Sequence, residues 1–349
     1  MNYFDFYFYI CRQNYSMKFT AFNSHLAIHR LDIRIRATVD TYFNAWIGAV
    51  IRNNLLYAAA EIQLPEHDIS LYQYCTQFPL SANHPLYKEL KDGFPAPYYL
   101  FVLAEQHPAE LKCLHANEEF TFSLILTGKI ARYFTCFIQA VRLMCQKGFG
   151  VDSKPFILID IREISALNEN RLLAFKTEDL SDKLTYPVQI GDFRDSPFAL
   201  KDCIQIQFES PVCLIKPKRK IEPAGFQEKS NAFPSFYQLA RTAAYRLEKL
   251  HALYAMPDDP DNYIASHECI ETYLEQAARM QLEKAAIQKT YLLSSQRTNR
   301  NENRIPLSGY MGEMIYRGDY RPYLPLLKYM ELLGVGHELS YGFGKFRVK

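Results

Sequence analysis

Apolar and polar residues alternate through LAIHRLDIRIRATV from Leu26, with Ile28, Leu31, Ile33, Ile35 and Ala37 on the apolar positions. A period near two predicts a strand with one face buried. After Val39 the pattern changes. TYFNAWIGAVIRNNLLYAAAEI places apolar residues at 43, 46, 47, 50, 51, 55 and 58, the spacing of a helix. Residues 62–95 are rich in Pro, His, Gln and Asn and read as loop. PAPYYLFVL (95–103) and FTFSLILTG (120–128) predict two strands, and KIARYFTCFIQAVRLMCQKG (129–148) predicts an amphipathic helix closed by a glycine. KPFILIDIREI (154–164) is a further strand.

The order β-α-β-β-α-β is that of a ferredoxin-like unit. Periodicity fades over residues 166–200 and then the order returns. CIQIQFESPVCLIK (203–216) predicts a strand, FPSFYQLARTAAYRLEKLHALYA (233–255) a helix, and KTYLLSSQ (289–296) and IPLSGYMGEMIYRG (305–318) two strands. RPYLPLLKYMELLG (321–334) then predicts a helix and GKFRV (344–348) a last strand, with residues 262–287 expected as an inserted helix. The expectation is an α+β protein of two tandem ferredoxin-like domains, at 17–165 and 201–349. Residues 166–200 form the junction and 1–16 an N-terminal extension ahead of Met17.

Composition narrows the class without naming a function. The 349 residues are 48% apolar, enough to fill two cores. The eight cysteines, at 11, 75, 113, 136, 145, 203, 213 and 269, form no CxxC and no paired cluster. They predict reduced thiols, a cytoplasmic location and no structural zinc. The aromatic start MNYFDFYFYICRQNYS has no basic region or cleavage site and is interrupted by Asp5. No segment reads as a membrane span. Net charge is +2, so any charged partner must be met by local clusters.

Such clusters exist. In GVGHELSYGFGKFRV two Gly-x-Gly pairs, Gly334/Gly336 and Gly342/Gly344, follow the last predicted helix, and Gly148-Phe149-Gly150 holds the same place in the first half. Glycine turns at such a junction can form a nest of backbone N–H groups that suits phosphate, or can be tight turns that require positive φ. His337 stands between the pairs. Lys345, Arg347 and Lys349 leave the loop on alternating positions and so share one strand face. The densest basic run, IKPKRKI, carries Lys216, Lys218, Arg219 and Lys220, and Arg297, Arg300 and Arg304 surround a predicted hairpin tip.

GVGHELSYGFG resembles the glycine-rich signature of the RAMP superfamily, two Gly-hydrophobic-Gly pairs separated by five residues. SGYMGEMIYRGDYRPYLPLLKYMELLGVG, FPSFYQLARTAAYRLEKL, PAPYYLF, ILTG and KGFGVDSKPFILI resemble its CRISPR-associated branch that cuts repeat RNA into guide RNAs. KGFGVD also resembles the start of the RNA-recognition motif's aromatic strand, but here it follows a helix.

The resemblance implies metal-independent cleavage with no cofactor. The ribose 2′-OH attacks the adjacent phosphate, leaving a 2′,3′-cyclic phosphate and a 5′-OH. Its partners would be CRISPR repeat RNA, precursor and mature, with other CRISPR effector subunits and a homodimer also admitted. Lys216, Lys218, Arg219 and Lys220, the four loop glycines, His337, Lys345 and Arg347 are the expected RNA contacts.

The catalytic expectation is less regular. Relatives often place a histidine on the first helix or the loop before it, but residues 30–66 contain none. Ile47 stands where many relatives have Arg, and Arg52 about where many have His. Arginine can stabilise charge but does not exchange protons. The expected catalytic residues are therefore Tyr42, Arg52, His25 and His29, with His67 and His84 on the long loop as further histidines. The rival expectation is a RAMP subunit that binds RNA without cutting it. A third is an adaptor that uses the tandem fold for protein contacts.

Overall fold

The computed structural model describes residues 26–43, 46–77, 80–91, 100–104, 113–167, 169–193, 202–214, 233–254, 269–298, 301–337, 339 and 342–349. The first half builds β1 (Ile28–Ala37), β2 (Thr41–Tyr42), α1 (Ile47–Ala59), α2 (Leu71–Thr76), α3 (Tyr87–Lys91), β3 (Leu100–Ala104), β4 (Cys113–Leu114), β5 (Glu119–Thr127), α4 (Phe134–Lys147) and β6 (Phe156–Ile164). β7 (Asn170–Phe175) and β8 (Glu178–Asp179) follow. These strands form a sheet in the order β3-β5-β1-β6-β7-β8, with β2 and β4 paired separately. The second half builds β9 (Cys203–Val212), α5 (Phe236–Tyr254), β10 (Gln281–Thr298), β11 (Asn301–Arg317), α6 (Leu324–Leu333) and β12 (Phe346–Val348), with sheet order β10-β11-β9-β12. Each half is an antiparallel sheet with the ferredoxin-like strand order.

Alternation decides which face each sheet buries. Leu31, Ile33 and Ile35 of β1 pack with Ile47, Ile51, Phe137 and Val141 of α1 and α4 in the first core. Ile204, Ile206 and Phe208 of β9 pack with Leu239, Ala243, Leu327 and Met330 of α5 and α6 in the second. The helices end alike. α4 closes on Gly148 (φ 75°, ψ 166°) and α6 on Gly334 (φ 73°, ψ 167°), and each glycine N–H returns to the carbonyl four residues back, Met144 or Met330. Positive φ is the reason for glycine at both caps.

Two expectations change. Residues 170–179, read from sequence as junction, add two strands to the first sheet, and Val188 pairs with Ile28. The helix expected over 262–287 is helical at 269–274, but Gln281 onward is strand, pairing from Gln281 opposite Arg317 to Thr298 opposite Asn301. QLEKAAIQ is made of good helix formers, and pairing with β11 overrides that preference. Residues 71–76 and 87–91 of the expected loop are short helices, the first opened by a capping box between Ser70 and Gln73.

The halves are joined through apolar contacts. Leu26, Ile28 and Ile125 enter the second core, and the Tyr329 hydroxyl donates to Leu26 O at 2.8 Å. Leu80, Leu86 and Leu90 pack on Ala252 and Leu253 of α5. Among the described residues no helix is long and apolar enough to cross a membrane.

Candidate functional site

The glycine-rich loop begins where α6 ends. Gly334, Gly336, Gly342 and Gly344 all have positive φ, at 73°, 97°, 81° and 79°. A Cβ on Gly336 would lie 2.5 Å from Cys213 O, and one on Gly344 would lie 2.5 Å from Val335 O. The glycines therefore let the loop press against the end of β9 and against itself. Its N–H groups point inward: Val335 donates to Gly344 O, His337 to Cys213 O, Gly342 to Leu339 O and Gly344 to Pro211 O. These donors are spent, which corrects the expectation of an open phosphate nest at these positions.

What faces the loop is a cluster of cations on α5. Arg246 Nη2 donates to Leu333 O, the last carbonyl of α6, at 3.4 Å. Burial pushes the Arg246 guanidinium down to about 9, which leaves it charged at neutral pH. His337 is half-buried, and burial first, then the charges of Arg246 and Lys249, lower its pKa below 6.5. One imidazole, held neutral, therefore sits beside two cations. Arg246 and Lys249 escaped the sequence reading because they lie within an ordinary amphipathic helix. Their spacing of three, which puts both on one face, is the only local signal.

The cation row beyond the loop is already engaged. Arg347 Nε lies 2.9 Å from Glu209 Oε1 and Lys345 Nζ 3.4 Å from Glu209 Oε2, while Lys349 Nζ donates to Gln207 Oε1 at 3.4 Å. Partly exposed pairs of this kind are worth about 0–1 kcal/mol, so Glu209 tempers an anion site without closing it.

The expected catalytic residues are not brought together. His29 Nδ1 is 2.8 Å from Glu163 Oε1, and Glu163 is fully buried. Arg52 is 7% exposed, with Nη1 donating to Asn53 Oδ1 at 2.7 Å. His29 is thus engaged by a buried carboxylate, and Arg52 is itself buried. Tyr42 is exposed, and its carbonyl accepts from Val151 N beside the first Gly-x-Gly. His67 stacks on Tyr74 with centroids 5.9 Å apart, and its Nε2 lies 3.3 Å from Arg132 Nη2. His25, Lys216, Lys218, Arg219, Lys220 and Arg300 lie outside the described residues, and the backbone pairs Arg297 with Arg304. Among the described residues no group of three or more His, Cys, Asp and Glu is placed to hold a metal ion.

The family model of the CRISPR-associated endoribonuclease Cas6 matches residues 206–346, which include α5, α6 and most of the glycine-rich loop's surroundings. A second model, described only as an N-terminal domain, matches residues 26–184. The second half of the chain thus carries the match to the Cas6 endoribonuclease family. No curated protein of similar sequence was found. Two solved structures, a partial Cas6-RT-Cas1–Cas2 complex and a Cas6-RT-Cas1–Cas2 complex, align with TM-scores of 0.56 at 10% identity over 93% of this chain. The chain spans 46% and 29% of those chains, and at this identity the likeness shows the fold alone. Thermus thermophilus Cas6 aligns over 93% of this chain and 100% of its own, at 11% identity and a TM-score of 0.44.

Proposed function

We propose that this is a Cas6-type protein that processes CRISPR repeat RNA by metal-independent cleavage at the glycine-rich loop. What supports the reading is His337 on the loop, whose pKa is lowered by burial and then by the nearby charges of Arg246 and Lys249. An imidazole kept neutral can accept the 2′-OH proton as that oxygen attacks phosphorus, and two cations can stabilise the phosphorane charge. The P–O5′ bond then breaks. The 5′ oxygen takes a proton from water or from the exposed Tyr42 phenol, and a 2′,3′-cyclic phosphate remains. The basic run Lys216, Lys218, Arg219 and Lys220 would meet stem phosphates.

A second reading, an RNA-binding RAMP subunit that does not cut, is favoured by the internal placement of His29 and Arg52. Incubating the protein with its repeat RNA in EDTA separates the two. A product ending in cyclic phosphate supports cleavage, an intact but shifted RNA supports the binder, and no shift at low salt overturns both.

A further inference from the structure

The open face of the first sheet carries a second, separate surface. Strand pairing sets Phe175 of β7 opposite Asp160 of β6, and Asp160 opposite Arg34 of β1. The next row brings Leu172, Arg162, Asp32 and Ser123 side by side. Cross-strand partners share a face. These positions alternate with Leu31, Ile33 and Ile35, which face the helices, so both rows lie on the side away from α1 and α4.

The chemistry of that side is unlike a spare solvent face. Arg30, Arg34, Arg36 and Arg162 stand against Asp32, Glu119 and Asp160, four guanidiniums to three carboxylates. Asp160 is nearly buried and receives Arg34 Nη2 at 2.5 Å and Arg162 Nη2 at 3.4 Å. That arrangement fixes the two guanidiniums on the face that Phe175 shares while leaving them 41% and 40% exposed. Phe175 is itself 39% exposed, with the Lys176 ammonium 5.2 Å from its ring centroid. An exposed ring among positioned guanidiniums on a flat sheet fits an unpaired base and its phosphates. It does not fit the narrow groove of an A-form stem.

We propose that this face is a platform for a single-stranded stretch of RNA, with one base stacked on Phe175 and its flanking phosphates on Arg34 and Arg162. This rests on the RNA-binding reading above and extends it from the repeat's stem to an unpaired flank. The test measures binding of short oligouridine and of a repeat hairpin without flanks to wild-type, Phe175→Ala and Phe175→Tyr proteins, each checked for an unchanged thermal melt. Phe175→Ala should weaken oligouridine binding roughly 5- to 100-fold, the range of one lost base stack. Phe175→Tyr should bind like wild type, and hairpin binding should not change. Equal oligouridine binding by Phe175→Ala overturns the platform, as does a wild-type protein that binds the hairpin but not oligouridine. A wild type that binds neither RNA overturns the platform and the RNA-binding reading together.

Discussion

Trp46 meets Phe343 edge-on, with ring centroids 5.4 Å apart and planes at 85°. The contact joins the start of α1 to the glycine-rich loop, 3% and 0% exposed respectively, so the loop is a joint between the halves as well as a surface. Trp46 is the only tryptophan in the chain. Its emission should therefore change when repeat RNA occupies the loop, and a fluorescence titration checks this. Trp46→Ala should destabilise the protein by about 3–5 kcal/mol, measured by urea unfolding followed by circular dichroism.

Gly336 tests how tightly the loop is seated. Its φ of 97° and the 2.5 Å approach a Cβ would make to Cys213 O leave no room for a side chain. Gly336→Ala should cost about 1–3 kcal/mol and lower the melting temperature. Gly191 has open space where a Cβ would be, and its replacement by Ala should leave the melt nearly unchanged.

Glu163 carries a pH-dependent share of stability. Burial alone would raise its pKa, but hydrogen bonds from His29, Thr185 N and Tyr186 N outweigh burial and lower it below 4.5. A carboxylate with a lowered folded pKa stabilises the fold above its unfolded pKa and loses that contribution as pH falls through the folded value. Stability should thus decline more steeply below about pH 4.5 in wild type than in Glu163→Gln. Glu163→Ala should cost about 3–5 kcal/mol, since it leaves His29 and two backbone donors without their acceptor.

Lys249 of α5 is one of the two cations whose charge lowers the pKa of His337. Lys249→Ala should weaken repeat-RNA binding and reduce the magnitude of the salt-dependence slope by about 1, as expected for one lost phosphate contact. Anisotropy titrations across a salt series measure both quantities.

The sequence disclosed the strands well where one face is buried, because alternation such as that of Ile204, Ile206 and Phe208 is a local signal. QLEKAAIQ misled because its strand state depends on β11, and helix propensity is all the segment shows by itself. The glycine caps were legible from position. The direction of the His337 and Gly344 N–H groups was not, because their acceptors Cys213 and Pro211 lie far away in sequence. His29 looked available on paper for the same reason: its partner Glu163 comes from a different strand. The cations beside His337 come from α5, and only the folded chain brings them to the loop.

The most direct measurement compares single-turnover cleavage of repeat RNA in EDTA by wild-type and His337→Ala proteins across pH. The wild type should yield a cyclic-phosphate product, at a rate that is level near neutral pH and falls in acid as His337 becomes protonated. His337→Ala should cut at least about 100-fold more slowly while still binding the RNA. An unchanged rate in His337→Ala, or an intact RNA with the wild type, would contradict cleavage at the glycine-rich loop.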